Sequence, residues 1–125
     1  MGYKEESLKL KNWAVVGASD NKDKFGYKIV KVLNDSNYNV FPVNPRLEKI
    51  DGVKCYKSLN EINEEIDVVD MVVRPEIGQK VIPEIADNNI DYIWLQPGTR
   101  SDDIDELTKK YNLKVVKGCI YSTLS

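Results

Sequence analysis

The sequence predicts an α/β domain built on one doubly wound parallel sheet, in three α/β/α layers with strand order about 3-2-1-4-5-6. Three observations carry this expectation. Apolar runs alternate with amphipathic stretches along the whole chain, joined by connections of a few residues, and right-handed crossovers leave few other arrangements. The apolar runs are continuous rather than alternating, as in parallel strands covered on both faces. The first run, Trp13 to Val16, turns a small-residue corner at Gly17-Ala18-Ser19 into a lysine-bearing loop and then a helix. That is the strand, phosphate-type loop, helix and strand of a nucleotide-binding βαβ unit, a Rossmann-like opening.

Taken in order, residues 3–10 suggest a short helical lead-in. The first strand is Asn12 to Val16. The helix from Phe25 to Asp35 places Phe25, Ile29, Val30 and Leu33 on one side, with Lys28, Lys31 and Asn34 opposite. The second strand, Tyr38 to Val43, stops at Pro45. After the Asp51-Gly52 turn signal, Val53 to Tyr56 is expected as a short edge strand, third in the chain. Ser58 and Glu61 have capping-box spacing, predicting a short helix that carries Leu59, Ile62 and Ile66. Asp67 to Val73 is the next strand, and Pro75 suits the first turn of the following helix. There Ile77, Val81, Ile82 and Ile85 form the inward stripe, and Pro83 is expected to kink or shorten the helix. Asp91 to Leu95 is a strand, Gln96-Pro97-Gly98-Thr99 a tight loop, and Ser101 a cap for a helix with Ile104, Leu107 and Tyr111 inside. Leu113 to Val116 is the last strand.

Composition bounds the function. The 125 residues, 42% hydrophobic and 30% charged, are read as a single domain over residues 1–125 with a real core. A net charge of −2 argues against a nucleic-acid or membrane-surface partner, so any anion site must be built locally. Without a membrane-length apolar run or a signal-type N-terminus, the expected location is cytoplasmic. The sequence has no histidine, which removes the commonest general base and metal ligand and any phosphohistidine mechanism. The two cysteines, Cys55 and Cys119, are too few for a disulfide framework.

In such sheets ligands bind beyond the carboxyl ends of the strands, beside strand one. That edge gathers Gly17 to Lys24, Asn44 to Arg46, Val73 to Pro75 and Gln96 to Gly98. Gly17 allows close backbone approach, Ala18 and Ser19 continue the small corner, Ser19 and Asn21 offer a hydroxyl and an amide, and Lys22 and Lys24 add charge. The helix beyond supplies unpaired N–H groups. The plainer reading is a generic small-residue corner with solvated lysines. A dinucleotide fingerprint would want glycine at positions 19 and 22 and an acid ending strand two; the chain has Ser19, Lys22 and the ending Val43-Asn44-Pro45-Arg46. Unless it is only a solvated surface charge, Arg46 suits a phosphorylated ribose, as in coenzyme A or NADP.

Val15-Val-Gly-Ala-Ser19, Phe41-Pro-Val-Asn-Pro45, the Asp67 to Arg74 run, Ile93-Trp-Leu-Gln-Pro-Gly98 and the late Gly118-Cys119-Ile120 together resemble the small CoA-binding domain proteins. These are stand-alone relatives of the CoA-binding domain of the succinyl-CoA synthetase alpha subunit and of NDP-forming acyl-CoA synthetases. The resemblance implies that Ser19 to Lys22 wrap the CoA diphosphate and that Asn44, Pro45 and Arg46 lie by the adenosine and its 3′-phosphate. It also implies that Val73, Arg74 and Pro75 flank the adenine or pantetheine and that Leu95 and Gln96 line the pantetheine path. The synthetases' phosphorylated histidine has no counterpart, so what transfers is binding rather than ligation.

The remaining candidates read most simply as structural. Cys119 could lie near the pantetheine thiol and form a mixed disulfide, but a buried, inert cysteine is the simpler reading because no histidine activates it. Cys55, Trp13 and Trp94 read as packing residues. The acids Asp102, Asp103, Asp105 and Glu106 fit a helix's first turn better than a metal site, and Glu61 to Asp67 fit a solvated face. The expectation is therefore a non-catalytic binder of CoA or acyl-CoA acting as sensor, carrier or accessory module, with a protein partner or homodimer possible and no catalytic or metal residues. The alternatives are an NADP-linked oxidoreductase, a trans-acting part of an acyl-CoA synthetase, and a regulator that contacts another protein.

Overall fold

The structure, a computed structural model, describes residues 2–125; Met1 lies outside the described residues. Five parallel strands form the sheet: β1 (Asn12–Val16), β2 (Asn39–Val43), β5 (Val68–Met71), β6 (Tyr92–Leu95) and β7 (Lys114–Lys117), in the order β2-β1-β5-β6-β7. This is the expected order with its outermost strand removed. Trp13 aligns with Val40 and Val68, Val69 with Ile93, and Trp94 with Val116.

Alternate residues of each strand serve the two faces. Ala14, Val16, Val69, Met71, Ile93 and Leu95 pack under α3 (Pro75–Asp87) and α4 (Asp102–Lys110), meeting Ile82, Ile85 and Ile104. Trp13, Val15, Val68, Trp94 and Val116 pack under α2 (Phe25–Asp35), α5 (Ile120–Leu124) and the lead-in α1 (Tyr3–Leu8), meeting Ile29, Val30, Leu33 and Ile120. Both tryptophans are fully buried, and each indole N–H finds an acceptor: the Leu10 carbonyl for Trp13 and the Ser7 hydroxyl for Trp94, each at 2.9 Å.

Helices α2, α3 and α4 end alike. Asn37, Asn89 and Asn112 take left-handed φ of 68°, 59° and 56°. The next residue, apolar or aromatic in each case, donates its N–H back into the last turn, Tyr38 to Leu33, Ile90 to Ile85 and Leu113 to Thr108. Asparagine tolerates this conformation better than other non-glycine residues, so three helix stops are written in the sequence.

Three expectations fail. The edge strand at 53–56 shrinks to one bridge, in which Tyr56 exchanges N–H and carbonyl with Pro42 and Asn44 at 2.8 Å. Val53–Lys54 (β4) instead folds back antiparallel on Lys49–Ile50 (β3), because Asp51 and Gly52 both adopt positive φ and close a tight hairpin. The Ser58 helix is a single 3₁₀ turn, Leu59–Glu61, with no side-chain cap; the Glu61 N–H takes the Ser58 carbonyl. The few residues before β5 are too short to repay helix nucleation, yet Ile62 and Ile66 still reach the core from extended chain. Pro83 does not shorten α3, which runs thirteen residues. Ile82 and Ile85, both fully buried on the sheet, hold the helix across the missing bond.

Candidate functional site

The carboxyl ends of the strands open into a cavity of about 760 Å³. Its walls follow the strand order. Asn44 comes from β2; Gly17, Ala18, Ser19, Asp23 and Lys24 come from the β1–α2 loop; Val72, Val73 and Arg74 follow β5; Gln96 and Pro97 follow β6; Cys119 and Ser122 follow β7. Phe25, Gly26 and Ile77, from α2 and α3, complete it.

The loop is held by backbone and amide bonds. The N–H groups of Gly17 and Ala18 both reach the Val43 carbonyl, at 3.2 and 3.3 Å. Asn44 joins β2 to the loop: its Nδ2 donates to the Ala18 carbonyl and its Oδ1 accepts from the Arg46 N–H, both at 2.8 Å. Ser19 Oγ accepts from the Asn21 N–H, and Asn21 Oδ1 from the Asp23 N–H, each at 3.0 Å, which curls the loop into successive tight turns. Gly17 sits at φ +99°, where an added Cβ would lie 2.9 Å from the Val72 carbonyl. Gly26 is more constrained: its Cβ would stand 2.2 Å from the Gly17 oxygen, so the first turn of α2 rests directly on loop backbone.

The N-terminus of α2 is electrostatically open. Lys24 occupies its N-cap position without a side-chain cap, and the first turn holds no acid. By contrast, α4 is capped by Ser101 Oγ, which accepts from the Ile104 N–H at 3.1 Å, and carries Asp102, Asp103 and Asp105 in its first turn. Uncapped N–H groups beside a lysine and a serine hydroxyl make an anion-accepting corner.

Of the residues singled out from sequence, Gly17, Ala18, Ser19, Lys24, Asn44, Val73, Arg74 and Gln96 meet in the cavity wall. The others lie outside it. Asn21 and Lys22 are exposed at the loop tip, and Pro45 and Arg46 are exposed in the turn after β2. Pro75 opens α3. Leu95 is fully buried on the opposite face, against α3 and α4, and its carbonyl accepts from Arg100 Nε and Nη2 at 3.1 and 3.0 Å. Gln96 is 3% exposed, and its Oε1 accepts the Ile120 N–H at 2.9 Å, tying α5 to the cavity floor.

Asp23 and Pro97 fall within segments expected at this edge but carry no assigned role there; sequence reasoning passed over Gly26, Val72, Ile77 and Ser122 as site residues, and it placed Phe25 and Ile77 in the core. Phe25 is 52% and Ile77 42% exposed, both at the cavity mouth, and Phe25 meets Tyr121 edge-on. The available signal was position rather than type: both fall in the first turn of a helix that starts at the strand ends. Apolar side chains left in solvent at a cavity rim mark a binding surface.

Two titratable groups stand out. Asp70 is fully buried with neither carboxylate oxygen hydrogen-bonded; burial, and then the neighbouring Cys119, raise its pKa well above the usual carboxylate range. Burial alone would push the Cys119 thiol up, but hydrogen bonding from the Ser122 N–H, the Gln96 amide, the Ser122 hydroxyl and the Tyr121 N–H brings it below its ordinary value. Among the described residues no cluster of three or more metal-ligating side chains occurs, and no helix is long and apolar enough to cross a membrane.

Comparison with known proteins agrees with this architecture. A family model described as a CoA binding domain matches residues 11–124. An ADP-forming acetate–CoA ligase from Methanocaldococcus jannaschii is 32% identical over 114 residues, 85% of this chain, which spans only 16% of that enzyme's length. The uncharacterized protein YneT of Bacillus subtilis is 32% identical, with 90% of this chain matched to 84% of it. A solved structure of a conserved hypothetical protein from Pyrococcus furiosus superposes with a TM-score of 0.84 at 34% identity, covering 91% of this chain and 99% of that one. With its α/β Rossmann-like sheet and its family match over nearly every residue, the chain belongs to the CoA binding domain family.

Proposed function

We propose that the chain binds CoA or an acyl-CoA in the strand-end cavity without transforming it. The observation that carries this reading is the uncapped start of α2, whose first turn holds no acid and which meets Ser19 and Lys24, with Asp23 the one acid beside them, at one end of a cavity crossing the whole strand edge. The first-turn N–H groups and Lys24 would receive the diphosphate, and Ser19 would donate its hydroxyl. The exposed Arg46, beside Asn44, would meet the ribose phosphate, and Val72, Val73 and Pro97 would flank the apolar arm. The fit is chemical: anion donors at one end, a largely apolar channel after them, and no strand-end acid on β2 to hold a bare ribose diol.

Calorimetric titration with CoA, ADP and NADPH tests this. Micromolar or tighter binding of CoA is expected, with NADPH much weaker. Lys24→Glu and Arg46→Glu should each weaken CoA at least tenfold, or about 1.4 kcal/mol, and the loss should shrink at high salt. No heat with CoA or short acyl-CoAs would overturn the reading. A second reading, a trans-acting portion of an acyl-CoA synthetase, is favoured by the ligase relative of which this chain matches one segment. CoA-dependent capture of a ligase-type partner would support it.

A further inference from the structure

β7 closes the strand order at one edge of the sheet, and that edge is open. The Lys114 N–H reaches the Asp91 carbonyl at 2.7 Å, so β6 takes the backbone groups of Lys114 and Val116. Those of Val115 and Lys117 then point outward, and no bond among the described residues takes them. Beside the edge opens a groove of about 730 Å³. Tyr3 of α1, 47% exposed, and Lys109 of α4 flank it from the two faces of the sheet, and Leu113, Lys114, Val115 and Lys117 line it between them.

Charge says what the groove takes. Lys114 and Lys117 stand on opposite faces of the strand. Lys114 Nζ lies 5.0 Å over the Tyr92 ring, on the α1 side, and makes no ion pair among the described residues; Lys117 Nζ meets Asp105 of α4 at 3.2 Å. That pair is open to solvent, so exchanging Asp105 for another carboxylate costs little. With Lys109, the groove holds three lysines against one acid. Edge lysines also keep copies of a chain apart. Two copies paired antiparallel about Val115 would set their Lys114 side chains on one face as diagonal neighbours, like charge against like. That role requires neither a groove nor an open tyrosine beside the strand. An acidic strand meets no such repulsion, and only a polypeptide uses the outward N–H and carbonyl groups as well as the lysines.

We propose that the outer edge of β7 takes an extended acidic segment of a partner protein as a further strand of the sheet. Val115 and Lys117 exchange N–H and carbonyl bonds with the segment's backbone. Residues directly opposite across a strand pair share a face, so carboxylates three positions apart meet Lys114 on the α1 side and Lys117 on the α4 side. The two side chains between them lie opposite Val115 and Val116. The recognised pattern is thus an acid, two apolar or β-branched residues and a second acid, in extended chain. β7 runs on into Cys119 and Ser122 of the cavity wall, which seats the partner beside the ligand edge. The proposal does not depend on what the cavity binds.

Fluorescence anisotropy with the labelled peptide Ser-Glu-Val-Thr-Asp-Val-Ser, together with amide hydrogen exchange of the full chain, tests the proposal. The peptide's acids stand three apart and reach both lysines in either strand direction. Saturable binding is expected, weakened at least tenfold by Lys114→Glu and by Lys117→Glu. The isomer Ser-Glu-Val-Asp-Thr-Val-Ser, whose acids share one face, should bind several-fold more weakly, and N-methylation of the peptide backbone should abolish binding. In the complex, exchange at the Val115 and Lys117 amides should slow at least tenfold. No binding at millimolar peptide would overturn the proposal. Equal binding of the isomer or of the N-methylated peptide, or binding that leaves those two amides unprotected, would also overturn it. So would displacement by inorganic polyphosphate as effective as by unlabelled peptide, since the groove would then be a general anion surface.

Discussion

Replacing Gly26 by alanine sets two effects of opposite sign against each other. In an exposed helix the change would stabilise by about 1 kcal/mol, since alanine has the higher helix propensity. Here the new methyl would stand 2.2 Å from the Gly17 carbonyl oxygen, with the Ser19 nitrogen at 3.1 Å and the Ala18 carbonyl carbon at 3.2 Å. All three contacts are backbone, so no flexible side chain can give way. Relief requires the loop or the first turn of α2 to move by roughly 1 Å, and overpacking of this kind costs about 1–3 kcal/mol. A 2.2 Å contact with backbone belongs at the upper end of that range, so the clash wins, leaving a net loss of about 2 kcal/mol and a Tm lower by roughly 6–10 °C in a domain of this size. The larger effect falls on binding. A 1 Å shift takes the loop and helix N–H groups out of hydrogen-bond range of a docked phosphate, and charge-assisted bonds of about 1.5–3 kcal/mol are lost. CoA affinity measured by calorimetry should therefore drop at least tenfold. Gly52→Ala is the control: φ there is +81° and the added methyl meets nothing within 4 Å, so stability falls through backbone strain alone while CoA binding holds. A Gly26→Ala protein that binds CoA within twofold of wild type would refute the placement of the phosphates on this loop.

Two further predictions concern the residues around it. Asn44→Ala removes the bonds to the Ala18 carbonyl and the Arg46 N–H and should cost about 1–3 kcal/mol in urea unfolding, together with weaker CoA binding; unchanged binding would show that the loop keeps its shape without the amide. Asp70→Asn tests the buried acid through pH. Because burial raises the folded-state pKa above the unfolded 3.8, the native chain keeps a proton that the unfolded chain releases. That difference leaves stability intact below pH 3.8 and erodes it by about 1.4 kcal/mol per pH unit as pH rises toward the folded pKa. Wild-type stability minus that of Asp70→Asn should accordingly fall with rising pH above 4, and a difference independent of pH would show Asp70 to be ordinarily ionised.

Much of this was legible in the residues. Continuous apolar runs in regular alternation with amphipathic stretches leave a parallel sheet as the way to bury both faces of each strand, and the small corner after Val16 identifies where its ligand edge begins. The helix stops at Asn37, Asn89 and Asn112 follow from a local property of asparagine. The motifs around Ser19, Asn44 and Gln96 mark the segments that converge, because the topology brings strand ends to one edge whatever the details. Other features depend on distance in space, which sequence does not contain. Periodicity assigned Phe25 and Ile77 to the core because it reads only the angle around a helix, not that its first turn overhangs a cavity. The capping box at Ser58 specified a start for a helix that the short path to β5 does not accommodate. Gly26 looked like one more helical residue until the Gly17 carbonyl lay against it, and Cys119 looked inert until Gln96 and Ser122 came alongside. The sequence by itself determined the five strands of the sheet, the helix stops and the corner after Val16, though not the hairpin and turn of residues 49–61, since the former follow from short-range sterics and burial period. Only the tertiary structure decided which side chains stand in the cavity and with what charge, because close approach and desolvation arise from segments far apart in the chain.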